Sequence, residues 1–197
     1  MKLTTLDKLF HHELKDLYDA EHQIVKALPK LAAAASAPEL AEAFEEHLTQ
    51  TRQHITRLDA VFGEIGEAPS RVACAGMKGL LEEGSKLMAE DADPVVRDAA
   101  LISAAQRVEH YEMAAYGTLR TWARILGYED SARLLDETLD EEEGTDSALT
   151  GIAQGINPEA ATSGKTVTAE SGSRNRTGTT GHKPRQRQQR TSKSTSR

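Results

Sequence analysis

Between Pro94 and Leu126 the chain reads PVVRDAALISAAQRVEHYEMAAYGTLRTWARIL, and the spacing of its apolar residues decides the fold class. Leu101, Ala105, Val108, Ala115, Leu119, Trp122 and Leu126 recur at intervals of three and four, the period of one helix face rather than the alternation of a strand. Asp93-Pro94 places a capping carboxylate before a first-turn proline, and Gly127 supplies a stop. The stripe is broken once, at its centre, by Glu112, with Glu109 one turn earlier on the same face.

The same signature extends outward in both directions. Thr4 or Thr5 caps a predicted first helix ending near Ala35, and Ser36-Ala37-Pro38-Glu39 reads as a capping box that opens a second, ending between Gly63 and Gly66. A last helix follows Gly127 from Glu129 to about Gly155. Pro29 lies inside the first helix, where it removes one backbone bond and predicts a kink. Short links within each pair make the helices antiparallel neighbours. The connection between the pairs, Glu67 to Ala92, is long enough to carry a shorter helix with Met77, Leu80, Leu81, Leu87 and Met88. The predicted fold class is therefore all-α, a ferritin-like four-helix bundle of two antiparallel hairpins joined by a long crossover containing a short helix.

Charge divides the chain of 197 residues into two parts. Residues 1–159, the predicted bundle, hold 15 Lys and Arg against 30 Asp and Glu, whereas residues 160–197 hold 9 against the single Glu170. That tail is rich in Ser, Thr, Gly and Arg and too poor in apolar residues to offset its ordering entropy, which predicts disorder. No apolar run approaches the length of a membrane span, and no signal-peptide stretch follows Met1, so a cytoplasmic location is expected. A lone cysteine, Cys74, excludes an intrachain disulfide and reads as a small buried hydrophobe. There is no phosphate-binding loop, dinucleotide fingerprint or nucleophile elbow.

Each remaining helix is also interrupted near its middle. The first stripe is Phe10, Leu14, Leu17, Glu21, Ile24, Leu28, Leu31, and the second is Leu40, Phe44, His47, Thr51, His54, Leu58, Val61, Ile65. The last is Leu135, Leu139, Glu142, Asp146, Leu149, Ala153. With about 1.5 Å of rise per residue, Glu21, the His47–His54 turns, Glu109, Glu112 and Glu142 all fall within about 8 Å of mid-height, whichever way each helix runs. Buried carboxylates that face one another cost several kcal/mol each without compensation. Either a structural network with the histidines or an inward Arg52 or Arg107 supplies it, or metal cations do. Carboxylates with imidazoles and no thiolate suit iron or manganese, and glutamates from several helices with ligands three apart match a di-metal site.

Several segments carry a family resemblance: Leu17-Tyr18-Asp19-Ala20-Glu21, Phe44-Glu45-Glu46-His47-Leu48, Cys74-Ala75-Gly76-Met77-Lys78-Gly79-Leu80, Arg97-Asp98-Ala99-Ala100-Leu101-Ile102, Val108-Glu109-His110-Tyr111-Glu112 and Tyr116-Gly117-Thr118-Leu119. Leu126-Gly127-Tyr128 and Thr138-Leu139, followed by Glu141-Glu142 and Asp146, add to it. Through them, over about residues 3–157, the chain resembles the YciF-type bacterial stress proteins, themselves similar to rubrerythrin-like and manganese-catalase-like bundles. The resemblance implies a ferritin-like fold, a di-metal layer and a homodimer, and links the chain to osmotic and oxidative stress. It implies no substrate. One departure stands out: where the family pattern reads His-Leu-x-Glu-Thr, this chain has His47-Leu48-Thr49-Gln50-Thr51. An amide there predicts unequal metal positions, one held tightly by Glu109, Glu112 and Glu142 and a second held loosely near Glu21.

Three functions follow as expectations. In the first, Glu21, Glu109, Glu112 and Glu142 with His47 or His54 hold iron or manganese in an oxidase or peroxidase, and Tyr18 or Tyr111 takes up a stray electron. In the second, the polar layer only sets helix register in a non-catalytic stress protein. In the third, Arg174, Arg176, Lys183, Arg185, Arg187, Arg190, Lys193 and Arg197 in the tail neutralise nucleic-acid phosphates without sequence preference.

Overall fold

A computed structural model describes residues 3–170 and shows five helices and, among the described residues, no strand. They are α1 (Leu6–Ala34), α2 (Pro38–Glu64), α3 (Ala75–Ala89), α4 (Pro94–Leu126) and α5 (Glu129–Glu170). Thr5 caps α1 through Lys8 N–H, Asp93 caps α4 through Val95 N–H, and Gly127 ends α4 with a φ of 84°, a left-handed conformation that glycine adopts without a Cβ penalty. Pro29 lies within α1 without ending it.

Side-chain contacts show how the long helices run. Tyr18 bonds Asp59 between α1 and α2, and His11 of α1 meets Glu67 just beyond the end of α2, while Gln106 bonds Asp146 and Arg120 bonds Asp136 between α4 and α5. In both pairs rising numbers meet falling ones, so each pair is antiparallel. Across the pairs, Asp7 meets Tyr128 and the corner at Ser36 meets Asp98, so α1 and α4 also run oppositely. Glu64 and Pro94 therefore lie at opposite ends of the bundle, and the segment carrying α3 must cross its length. Backbone bonds from Val72 to Lys15 and from Cys74 to the Asp19 carboxylate tie that segment to α1.

Two boundaries differ from the sequence reading. The predicted capping box at Ser36 does not form: Ala37 is the N-cap of α2 and makes no side-chain cap bond. Instead the Ser36 and Ala37 N–H groups both donate to the Asp98 carboxylate of α4 at 2.8 Å, so a buried acid from another helix anchors the corner that leads into α2. The second difference is α5, which continues to Glu170 rather than ending near Gly155. Gly151 and Gly155 weaken a helix without forbidding it, and Ile156, 5% exposed, keeps this turn docked on the core. The helix thus crosses the predicted boundary at residue 159. The charge-rich residues 171–197 of the tail, with their predicted disorder, lie outside the described residues.

The apolar stripes face inward as the spacing predicted. Phe10, Leu14, Leu17, Ile24, Leu28 and Leu31 of α1 are buried, as are Leu40, Phe44, Leu58 and Val61 of α2. Each such side chain is worth about 1.5–3 kcal/mol of burial, which is what holds the interrupted polar layer in place. Among the described residues no helix is long and apolar enough to cross a membrane.

Candidate metal centre

At mid-height the four long helices bring six polar side chains into the core: Glu21, His47, His54, Glu109, Glu112 and Glu142, none more than 3% exposed. They form two groups whose donor atoms lie within 4.8 Å of one another. One is His47, Glu109, Glu112 and Glu142; the other is Glu21, His54 and Glu142. Glu142 belongs to both, so its two oxygens stand between two adjacent positions.

Hydrogen bonding leaves this layer unsatisfied. Among the described residues, eight of the twelve buried side-chain polar atoms without a hydrogen-bond partner belong to these six residues, including both oxygens of Glu112 and both of Glu142. His54 Nδ1 stands 3.0 Å from Glu142 Oε1 and 3.5 Å from Glu21 Oε1, and His47 Nε2 stands 3.4 Å from Glu109 Oε1 and 3.9 Å from Glu142 Oε2. None of these pairs has the alignment of a hydrogen bond, and the donor atoms converge on shared space instead. Inward arginines do not compensate either, because Arg52 and Arg107 are exposed and Arg107 turns to Glu83.

The outer nitrogens of both histidines are engaged. His54 Nε2 donates to Glu141 Oε2 at 2.9 Å, and Arg57 grips the same carboxylate with two bonds of 2.6 and 2.7 Å. His47 Nδ1 lies 3.4 Å from Gln50 Oε1 and 3.3 Å from Thr145 Oγ1. Each imidazole thus turns a lone-pair nitrogen inward when neutral, the arrangement by which an outer partner orients a metal-binding histidine. The Tyr116 hydroxyl, fully buried, donates to Glu21 Oε1.

Charge within the layer is correspondingly strained. Burial, reinforced by the facing Glu142 carboxylate, pushes Glu109 and Glu112 well above the usual glutamate value. Burial opposes the charged form of His54, but the Glu142 and Glu21 carboxylates outweigh it and push that imidazole up to about 10. Burial likewise works against the Glu142 carboxylate, yet His54 and His47 hold it below its ordinary value. Without cations, the layer holds protons to limit its own repulsion.

All six residues singled out in the sequence meet here, and both histidines do so rather than one. Gln50 turns its amide oxygen to His47 Nδ1 and Thr145 Oγ1, each 3.4 Å away. It sits beside His47, at the four-donor position rather than near Glu21, because its place on α2 turns its amide toward α5. Tyr18 and Tyr111 are directed elsewhere, to Asp59 and to Asp16 with Cys74. Asp146, 22% exposed, bonds Gln106 at the rim. Cys74, buried as expected, also caps α3 by accepting from Met77 N–H. Sequence reading missed Tyr116, Arg57 and the hold of Glu141 on His54. Tyr116 falls four residues after Glu112 in the α4 stripe, and Arg57 three after His54, so spacing could have flagged both.

Residues 5–162 match the family described as Domain of unknown function (DUF892). The chain belongs to the DUF892 family. Over 154 residues, 78% of this chain and 93% of the relative, it is 47% identical to protein YciF of Escherichia coli. The solved structure of that stress protein superposes with a TM-score of 0.77 at 45% identity, covering 79% of this chain and 99% of its own. A Rhodopseudomonas palustris protein, YcfI, superposes at 0.74 with 43% identity, covering 76% of this chain and 95% of its own. The YciF resemblance read from the motifs is thereby shown, and this member of the family carries the DUF892 domain as an all-helical bundle with a buried carboxylate and histidine layer.

Proposed function

We propose that this DUF892 protein is a ferritin-like di-metal carboxylate protein that binds iron or manganese in its core and consumes peroxide or oxidises Fe(II) under stress. One observation carries the reading: among the described residues, eight converging buried donor atoms of this one layer lack hydrogen-bond partners. An all-oxygen and imidazole donor set is the chemistry that hard divalent cations favour.

His47, Glu109, Glu112 and Glu142 would hold one ion and Glu21, His54 and Glu142 the other, with Glu142 shared. Such a pair, when bound, supplies two-electron chemistry toward dioxygen or peroxide. The chain's own part is to orient and to exclude water. Arg57 fixes Glu141, which fixes the His54 ring, and Tyr116 holds one oxygen of Glu21 and keeps a phenolic proton beside it. Burial of all six side chains keeps bulk water from the centre. Purified protein is expected to contain iron or manganese near one or more per chain, and aerobic addition of Fe(II) to the chelated protein to produce an absorption band absent from a Glu112→Ala control. A metal-free protein that stays colourless under that addition overturns the reading in favour of a register-setting layer.

A further inference from the structure

A cavity of about 210 Å³ opens to solvent between α2 and α5 and ends against His47, with Glu46, Gln50, Gly144, Thr145 and Ala148 in its walls. Four other surface cavities touch none of the six layer residues. His47, only 3% exposed, forms the partition: its Nδ1 edge meets Gln50 and Thr145, and its Nε2 edge meets Glu109 and Glu142.

We propose that this notch is the inlet through which a hydrated divalent cation reaches the carboxylate layer, with the His47 ring as its door; the inference rests on the metal reading above. At the mouth, Glu46 is exposed, and Glu42 stands one turn before it on the same helix. These acids raise the local concentration of cations. Glu141 also lines the notch, but Arg57 and His54 occupy its oxygens. The floor is neutral: Gln50 and Thr145 touch His47 at 3.3–3.4 Å, contacts that trap no cation and orient the ring less tightly than the 2.9 Å bond from Glu141 orients His54. An ion passes most readily where it is drawn in but not kept, and an amide at position 50 serves that better than a carboxylate. Gly144 leaves one wall bare, since a Cβ added there meets nothing within 4 Å.

The test is the rate of Co(II) uptake by chelated full-length protein, followed by stopped-flow absorbance, beside an equilibrium titration. Gly144→Leu fills the notch with a better helix former and replaces no layer residue, and Ala148→Leu does so from one turn further along. Each is expected to slow uptake at least tenfold while stoichiometry and equilibrium affinity stay at the wild-type values. Glu46→Lys is expected to slow uptake several-fold at low salt, with the difference vanishing at high salt. Wild-type rates in both leucine variants, at wild-type stoichiometry, overturn the inlet and leave the metal centre standing. Wild-type protein that takes up no Co(II) overturns the centre and the inlet together.

Discussion

His54 Nε2 lies 2.9 Å from the Glu141 carboxylate that Arg57 clamps, so the ring is held with Nδ1 facing Glu21 and Glu142 in the core. The half-buried Glu141 thereby decides which nitrogen of a buried histidine is free to bind.

Glu141→Ala is expected to weaken the three-donor position by about 10- to 100-fold while the four-donor position keeps its affinity, because only His54 loses its anchor. Anaerobic titration calorimetry with Mn(II) separates the two steps. Equal weakening of both would show that Glu141 supports the whole layer rather than one ring.

Glu112→Ala is expected to abolish tight binding and yet leave the chelated protein as stable as the wild type or more so. Burial and the facing carboxylates already push Glu112 far above its ordinary value, so its removal relieves a cost. If the layer were a structural network, losing one partner would cost about 3–5 kcal/mol with or without metal. Thermal melts of both proteins, with and without chelator, distinguish the cases.

The chelated protein should lose stability as pH rises. Glu109 and Glu112, raised above the usual 4.5, and His54, raised from 6.5 to about 10, keep protons in the folded state that the unfolded chain has released. Between pH 6.5 and about 10 for His54, and from 4.5 upward for the two glutamates, the folded state therefore binds more protons, and stability falls by up to about 1.4 kcal/mol per pH unit for each group titrating. Glu142, held low, acts in the opposite sense only as pH falls below its ordinary range. Metal displaces these protons, so loaded protein should lose its advantage over chelated protein as pH drops. A melting midpoint for the chelated form that rises across this window would contradict the charge assignment.

The two positions differ in donors, four against three, so stepwise loading is expected. Gln50→Glu should tighten the four-donor step, because a carboxylate accepts more strongly from His47 Nδ1 and makes Nε2 a better donor to metal. Tightening of the weaker step instead would place residue 50 near Glu21.

The tail gives an independent expectation from charge. Residues 171–197 contain no Ala, Val, Leu, Ile, Met, Phe, Tyr or Trp, so their removal should leave the melting midpoint unchanged. Full-length protein should retard duplex DNA at low salt and release it near physiological salt, and the shortened chain should not bind. Equal retardation by both forms would remove the tail from consideration.

What the sequence by itself determined is the set of helices, their inward faces and the height of the polar layer. Helical period is a property of one segment, and Glu21, His47, His54, Glu109, Glu112 and Glu142 each interrupt an apolar stripe near the middle of its own helix. Partnerships across helices were decided only by the tertiary structure. The sharing of Glu142, the inward nitrogen of each histidine, the hold of Tyr116 on Glu21 and the place of Gln50 beside His47 depend on the rotation and register of one helix against another. The same holds where Asp98 of α4 anchors the Ser36–Ala37 corner that leads into α2. The extension of α5 past Gly155 follows from a docked Ile156 outweighing two glycines. Local spacing specifies which face turns inward, but side chains from different segments meet only where packing sets the distance between them.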